Sequence, residues 1–296
     1  MSDANDLQTR FLLPTAGVRG VGVRLDQTWH DLLAHAAYPA NAYTLLGQSC
    51  VAAALFTGHA KVNGRLSLQL RSQHALRTLF AECTAQGTLR GIARLADGED
   101  APEDLRLLGE DALLAITIEN PGLDPNEPQR YQSLVSLQAS SLSGVFEDYF
   151  RQSEQLPTRL LLAANGTTAA GLMVQKLPGD EGDSDGWNRA GALFDTLSSS
   201  ELLATPVSDL VHRLYHEETP TILAERPLRF GCSCSRDRVA TMLQSLGSDE
   251  AHAALAEGEA EVRCEFCSQR YVFTASQIDE LFALPPVGMD APERLQ

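Results

Sequence analysis

The sequence predicts an α+β protein: a mixed α/β-sheet core domain over residues 1–178, a helical linker over 179–231, a small cysteine-bearing domain over 232–284 and a disordered tail over 285–296. Three observations predict it. Segments of period two and period 3.6 are interspersed through the first 178 residues. An acidic run without any apolar residue, Gly179–Gly186, then interrupts them. Finally, four of the six cysteines fall in two tight pairs near the C-terminus.

Gly17–Leu25 alternates as a strand does, and Trp29–Ala37 and Ala42–His59 read as helices, the second rich in Ala and Leu. Leu66–Arg71 has the alternation of a half-buried strand. Leu76–Cys83 and Thr88–Arg94 flank Ala85-Gln86-Gly87 as a hairpin. Leu113–Ile118 and Tyr131–Leu137 are strand-like, separated by a loop over Asn120–Gln129 that holds Pro121, Pro125 and Pro128. Leu142–Arg151 places Leu142, Val145, Phe146 and Tyr149 on one helical face. Arg159–Ala164 and Ala169–Leu177 close the domain as a strand pair. About 180 residues suffice to bury a substantial core.

Beyond the acidic run, Ala190, Leu193, Phe194 and Leu197 form a helical stripe. Thr205-Pro206 reads as an N-cap followed by proline at the first helical position, with Leu210, Val211 and Leu214 as the next apolar stripe. On periodicity alone these helices read first as an appendage packed on the main domain, and alternatively as a detachable amphipathic cover. In the last segment Ser235 can cap a helix bearing Val239, Met242, Leu243 and Leu246. Glu261–Arg263 and Tyr271–Thr274 can pair around Cys264 and Cys267. Ser276 with Asp279 marks the start of a last helix carrying Ile278, Leu281 and Phe282.

The 296 residues are 44% hydrophobic and 21% charged, globular usage that excludes wholesale disorder. The net charge is −16, spread as −4 over residues 1–178, −6 over 179–230 and −6 over 231–296. That balance argues against a nucleic-acid binder, which needs a basic surface. The polar start MSDANDLQTR predicts no signal peptide. Apolar stretches such as Cys50–Phe56 and Leu160–Ala164 fall far short of the roughly 20 residues that span a bilayer. The expected compartment is the cytoplasm, where thiols are kept reduced.

Cys232-Ser233-Cys234 and Cys264-Glu265-Phe266-Cys267 are separated by 29 residues. Two thiol pairs brought together by folding supply four soft ligands, a set suited to one tetrahedral zinc ion. A static structural site is the bland alternative. The CxC spacing departs from the CxxC of zinc ribbons, and thiols two residues apart can also close a small, strained and therefore labile disulfide ring. Zinc holds thiols as thiolates, the form that reacts with oxidants. Cys50, in an apolar helix, and Cys83, in a strand, read as small core residues.

Histidines 30, 35, 59, 74, 212, 216 and 252 join no ligand pattern, and His212, His216, Glu217 and Glu218 read as a solvated face. There is no GxxxxGK[ST] phosphate loop and no GxSxG elbow. No catalytic residue is assigned, and no enzymatic activity is expected.

At these residues the sequence resembles the redox-regulated 33-kDa heat-shock chaperonin family (heat shock protein 33). The CxC and CxxC pairs match it, as do Glu147-Asp148-Tyr149-Phe150, Ser153-Glu154-Gln155-Leu156-Pro157-Thr158-Arg159 and Leu214-Tyr215-His216-Glu217-Glu218. Arg19-Gly20 and Gly91-Ile92-Ala93-Arg94 fit its early strands. The resemblance implies an ATP-independent holdase, inactive while zinc is bound by Cys232, Cys234, Cys264 and Cys267. It implies activation by oxidation to two disulfides, Cys232–Cys234 and Cys264–Cys267, with zinc release. The resemblance further implies that the linker 179–231 then becomes disordered and, with the surface of the core domain, binds unfolding client proteins, and that the oxidised form is a homodimer that passes clients to ATP-driven foldases. This favours the detachable cover. Some relatives carry glycine after the CxxC, where a positive φ is easy; here the residue is Ser268. Two rivals remain: a thiol–disulfide oxidoreductase using Cys264 and Cys267, which lacks a βαβ context, and a zinc-ribbon binding module with static metal.

Overall fold

The computed structural model describes residues 6–60, 62–122, 127–179, 183–256 and 258–283. The chain divides into two units, Met1–Gly231 and Cys232–Gln296. In the first, β1 (Leu7–Leu13), β2 (Val18–Leu25), α1 (Gln27–Leu33) and α2 (Ala40–His59) lead into β3 (Arg65–Arg71), β4 (Leu76–Thr84), β5 (Thr88–Leu95), β6 (Leu113–Asn120) and β7 (Gln129–Val135). Next come α3 (Leu142–Ser153), β8 (Thr158–Ala164) and β9 (Ala169–Lys176), then α4 (Gly186–Phe194), α5 (Ser199–Ala204), α6 (Val207–Tyr215), β10 (Thr221–Pro227) and β11 (Arg229–Phe230). One sheet has the order β10-β1-β2-β9-β8 and is antiparallel throughout. The other has the order β11-β5-β4-β3-β6-β7, antiparallel except for the β11–β5 pair.

Helix α2 explains this arrangement. Its sequence is apolar on every side, and a helix apolar all round must be buried all round. It packs on strands of both sheets, and the run from Ser49 to Gly58 is buried throughout. Phe56 meets Phe146 and Phe150 of α3 edge-on, with ring centroids 4.8 and 5.1 Å apart. Neither α1 nor α2 carries a local side-chain cap. Remote aspartates supply the caps: Asp6 accepts from the amides of Asp26, Gln27 and Thr28, and Asp100 from those of Asn41 and Ala42. A carboxylate at a helix N-terminus satisfies orphan amides and complements the helix dipole.

The strands of the first sheet sort their side chains by period two. Val21, Val23, Leu25, Leu160, Leu162 and Met173 face the α2 core. Phe11, Leu13, Val18, Leu172 and Val174 join a separate apolar cluster completed by Ala190, Phe194, Leu197, Leu202, Val207, Leu210, Val211 and Tyr215 of residues 186–215. The segment after the acidic run therefore roofs the outer face of this sheet. Gly22 permits the closest approach, since a Cβ there would lie 2.2 Å from Val207 Cγ1. Arg189 of α4 donates to both carboxylate oxygens of Glu218 at 2.7 and 3.0 Å, and Arg24 of β2 to the Leu203 carbonyl at 2.6 Å.

Several expectations need correction. The strand β1 was not predicted. The segment 179–231 holds its expected helices, but it also adds β10 to the edge of one sheet and β11 to the edge of the other. Its Glu218 is buried at 4% exposure and paired with Arg189, rather than solvated. Thr205 is not the N-cap of α6; Pro206 occupies that position and Val207 is the first helical residue. Parts of the expected loops (123–126 and 180–182) and the tail 285–296 lie outside the described residues.

The second unit is small. It contains α7 (Arg236–Leu246), α8 (Ser248–Ala253), the hairpin β12 (Glu259–Arg263) and β13 (Arg270–Thr274), and α9 (Ala275–Ala283). Among the described residues its core cluster is six buried side chains: Val239, Leu243, Ala251, Ala260, Phe273 and Ile278. Ser235 caps α7 as expected, accepting from the Arg238 amide at 3.2 Å. The cap of α9 is Thr274 rather than Ser276: its hydroxyl accepts from the Gln277 amide, and Gln277 Oε1 accepts from the Thr274 amide. That reciprocal pair is a capping box. The short helix α8 was not predicted.

Candidate metal centre

Two short loops carry the four cysteines. Cys232 and Cys234 lie just ahead of α7, in a stretch held by Arg238, which donates to the Ser233 carbonyl at 2.8 Å. Cys264 and Cys267 form the tip of the β12–β13 hairpin. There the Cys264 amide donates to the Gln269 carbonyl at 2.9 Å, and the Ser268 amide to the Cys264 carbonyl at 2.8 Å. At the neck of the hairpin Arg263 and Arg270 are directly opposed. Like charges facing across a pair repel, and Glu261 between them relieves this, accepting from both at 2.6 Å.

The fold brings all four sulfurs within 4.8 Å of one another. The Cys232–Cys264 and Cys234–Cys267 Sγ separations are 3.5 and 3.4 Å. For a tetrahedral ion with sulfur at about 2.3 Å, each S–S edge is about 3.8 Å. The quartet fits such an ion. Each pair also has an amide aimed at a sulfur: that of Cys234 donates to Cys232 Sγ and that of Gln269 to Cys267 Sγ. The Tyr271 hydroxyl donates to Cys234 Sγ at 3.1 Å.

These contacts divide the thiols. Burial raises the Cys234 pKa, but the Tyr271 hydroxyl and the other three sulfurs outweigh it and bring it down to about 7. Burial pushes Cys232 up, and pushes Cys267 up further. Tyr271 is raised to about 12, chiefly by its bond to the Cys234 sulfur. With Cys234 lowered and Cys232 and Cys267 raised, a metal entering this centre would displace protons. Cys50 and Cys83 behave otherwise. Both are fully buried, and burial raises Cys50 strongly and Cys83 to about 11, so they stay protonated and inert. No histidine joins the cysteine group among the described residues.

The turn places Ser268 at φ 56°. An L-residue in the left-handed region costs roughly 1–2 kcal/mol, a cost that glycine avoids. Ser268→Gly is therefore expected to stabilise the metal-loaded second unit by about 1 kcal/mol, read as a rise in the denaturant midpoint of the 232–283 transition. An unchanged or lower midpoint would refute the strain.

Sequence reasoning found the four cysteines but missed Tyr271 as a sulfur partner and Arg238 as a brace. Only the alternation at 271–274, which sets Tyr271 and Phe273 on one face, hints at the former. It also left unassigned what the matched segment 147–159 does. Glu147 accepts from the Leu160 amide at 2.8 Å, and Glu154 reaches His59 at 3.4 Å and accepts from Gln175 at 3.0 Å, so the segment clamps α3 to β8 and β9.

Comparison with known proteins places this architecture. The family model for Hsp33 protein matches residues 6–274. A protein named 33 kDa chaperonin from Ectopseudomonas mendocina is 42% identical over 298 residues, covering 98% of this chain and 99% of its own. Another of that name from Chromobacterium violaceum is 39% identical, covering 94% of each. The crystal structure of the 33 kDa chaperonin, a heat shock protein 33 homologue, from Thermotoga maritima superposes with a TM-score of 0.77 at 21% identity, over 94% of this chain and 98% of that one. With a family model spanning nearly the whole chain, these relatives and a shared fold, the chain belongs to the Hsp33 family of 33 kDa chaperonins.

Proposed function

We propose that this protein is an ATP-independent chaperone, a holdase, held inactive while one zinc ion sits on Cys232, Cys234, Cys264 and Cys267, and switched on by oxidation. The observation that carries the reading is the pairing of a four-sulfur centre with a second, separable apolar interface: residues 186–215 roofing the outer face of the first sheet. Family membership supports the chaperone activity. Bound zinc would keep the four sulfurs as thiolates and tie the two loops together. Under oxidant the protein's part is to surrender electrons. Two thiolates lose two electrons and form one S–S bond, while hypochlorous acid is reduced to chloride and hydroxide; two such events consume the centre.

The proposed disulfides join chain neighbours, Cys232–Cys234 and Cys264–Cys267. In the reduced fold sulfurs of different pairs also lie close, Cys232 at 3.5 Å from Cys264 and Cys234 at 3.4 Å from Cys267. Neighbour pairing follows once the loops lose their tertiary hold, because the cost of closing a loop rises with its length. The chain then loosens backward from Cys232. The two-residue strand β11 ends at Phe230, and β10 keeps almost no buried side chain. Loss of the 179–231 cover bares Phe11, Leu13, Val18, Leu172 and Val174 together with its own apolar stripe. Contiguous exposed apolar surface of this kind binds unfolded chains. We further infer that the protein works in the cytoplasm, pairs as a homodimer when oxidised and passes clients to ATP-driven foldases; these parts rest on family membership. No covalent chemistry on clients is proposed.

The test treats the reduced, zinc-loaded chain with hypochlorous acid and follows zinc release and suppression of client aggregation in one sample, without ATP. Both are expected to appear together and to reverse on adding thiol. Zinc that stays, or leaves without gain of holdase activity, would overturn the switch.

A further inference from the structure

The segment β10 does more than close a sheet edge: it also walls a cavity. Between β1, β2, the end of α2 and β10 lies a cavity of about 510 Å³. Its lining contains Arg10, Arg19, His59 and Arg226, and no carboxylate. Elsewhere in this acidic chain many arginines sit on carboxylates, as Arg24 does on Asp26, Arg90 on Glu82 and Arg189 on Glu218. Among the described residues Arg10, Arg19 and Arg226 have no carboxylate within ion-pair distance.

Neutral acceptors hold two of these guanidiniums in place. Arg19 Nε donates to Gln175 Oε1 at 3.1 Å, and its Nη2 lies 3.2 Å from His59 Nε2. Arg226 Nη1 donates to the Ala85 carbonyl at 2.7 Å, while its Nε is buried with no hydrogen-bond partner. A buried donor on a charged group without a partner is costly, so this guanidinium keeps unused hydrogen-bonding capacity. Arg10 is exposed at the rim, near enough to Arg19 for their charges to repel. The C-terminus of α2, at the same cavity, supplies only about half a negative charge, and Glu154 behind His59 supplies one more. Three guanidiniums exceed both. Fixed, uncompensated guanidinium forks are what a phosphate group takes.

We propose that this cavity is a binding site for a small phosphorylated anion carrying at least two negative charges, with Arg10, Arg19 and Arg226 as its contacts. The volume exceeds what one phosphate fills, and the surplus of roughly one and a half positive charges calls for more than a monoanion. Because Arg226 lies on β10 and Arg10 and Arg19 on β1 and β2, the ligand bridges the cover to the sheet. If the cover departs on oxidation as proposed above, a ligand at 100 times its Kd opposes that departure about 100-fold by mass action.

The test is calorimetric titration of the reduced, metal-loaded full chain with inorganic pyrophosphate. One site is expected. Arg10→Glu and Arg226→Gln should each weaken it at least tenfold, while Arg106→Glu, at a distant exposed arginine paired with Asp104, should leave it unchanged. Arg10 is exposed, so its variant keeps the test decisive if Arg226→Gln misfolds. Absence of binding, or binding indifferent to Arg10→Glu, overturns the site. Site-specific binding that leaves the rate of oxidant activation unaltered would instead overturn departure of the cover, with the anion site intact.

Discussion

Replacing Cys264 with serine, or stripping the metal with a strong chelator, is expected to unfold residues 232–283 while leaving the α2 core of the first unit folded. Among its described residues the second unit buries a cluster of only six side chains. A single core in so small a unit rarely supplies more than about 3–5 kcal/mol. A structural zinc site contributes about 10–16 kcal/mol in comparable metal domains, so its removal exceeds everything else that holds α7, the hairpin and α9 together. The expected readout is loss of amide dispersion for 232–283 in a two-dimensional NMR spectrum, with the resonances of the α2 core unmoved. A metal-free second unit that keeps its dispersion would show that the centre is not what folds it, and the redox switch would lose its mechanical basis.

Tyr215→Ala is expected to make the reduced, metal-loaded protein a holdase without any oxidant. Tyr215 is fully buried, packs 6.3 Å from the Phe11 ring and donates to the Ala190 carbonyl at 3.4 Å. Truncating a buried aromatic costs about 3–5 kcal/mol. At 1.4 kcal/mol per tenfold, that shifts the cover equilibrium by about two to three and a half orders of magnitude. Gly22→Ala attacks the same interface from the sheet side, since the new Cβ would collide with Val207. Both variants keep all four cysteines, so aggregation suppression under reducing conditions, with metal content unchanged, isolates the cover from the sensor. Variants that stay inactive while protease cleavage within 186–215 accelerates would show that an open cover is not the client-binding state.

The sequence made some of this legible because the relevant physics is local. Alternation announced β2 and β3, and the turn Ala85-Gln86-Gly87 announced the β4–β5 hairpin; in β3 the period of the backbone sets Leu66, Leu68 and Leu70 on the buried face. The paired cysteines announced the centre because the chelating spacing is written in consecutive residues. Where the deciding partner is remote, the sequence was silent. In β1, Gln8 and Thr9 are buried polar residues beside Phe11, so its pattern has no clean period. β10 is exposed along nearly its whole length and is an edge strand held by its backbone ladder to β1. The caps of α1 and α2 come from Asp6 and Asp100, far from the usual cap position. Glu218 looked solvated because Arg189, the residue that buries it, lies 29 positions earlier.

By itself, then, the sequence determined an α+β chain, its acidic balance, and a four-thiol centre with its local supports, because propensity, periodicity and ligand spacing act over a few residues. Only the tertiary structure decided that 186–215 roofs one face of a sheet, that one segment edges both sheets, that the Tyr271 hydroxyl donates to Cys234 Sγ, and that three arginines with no carboxylate partner among the described residues share a cavity. Each of these depends on surfaces brought together across long stretches of chain, and the pairing of two apolar or charged faces is a property of where they meet rather than of either sequence alone.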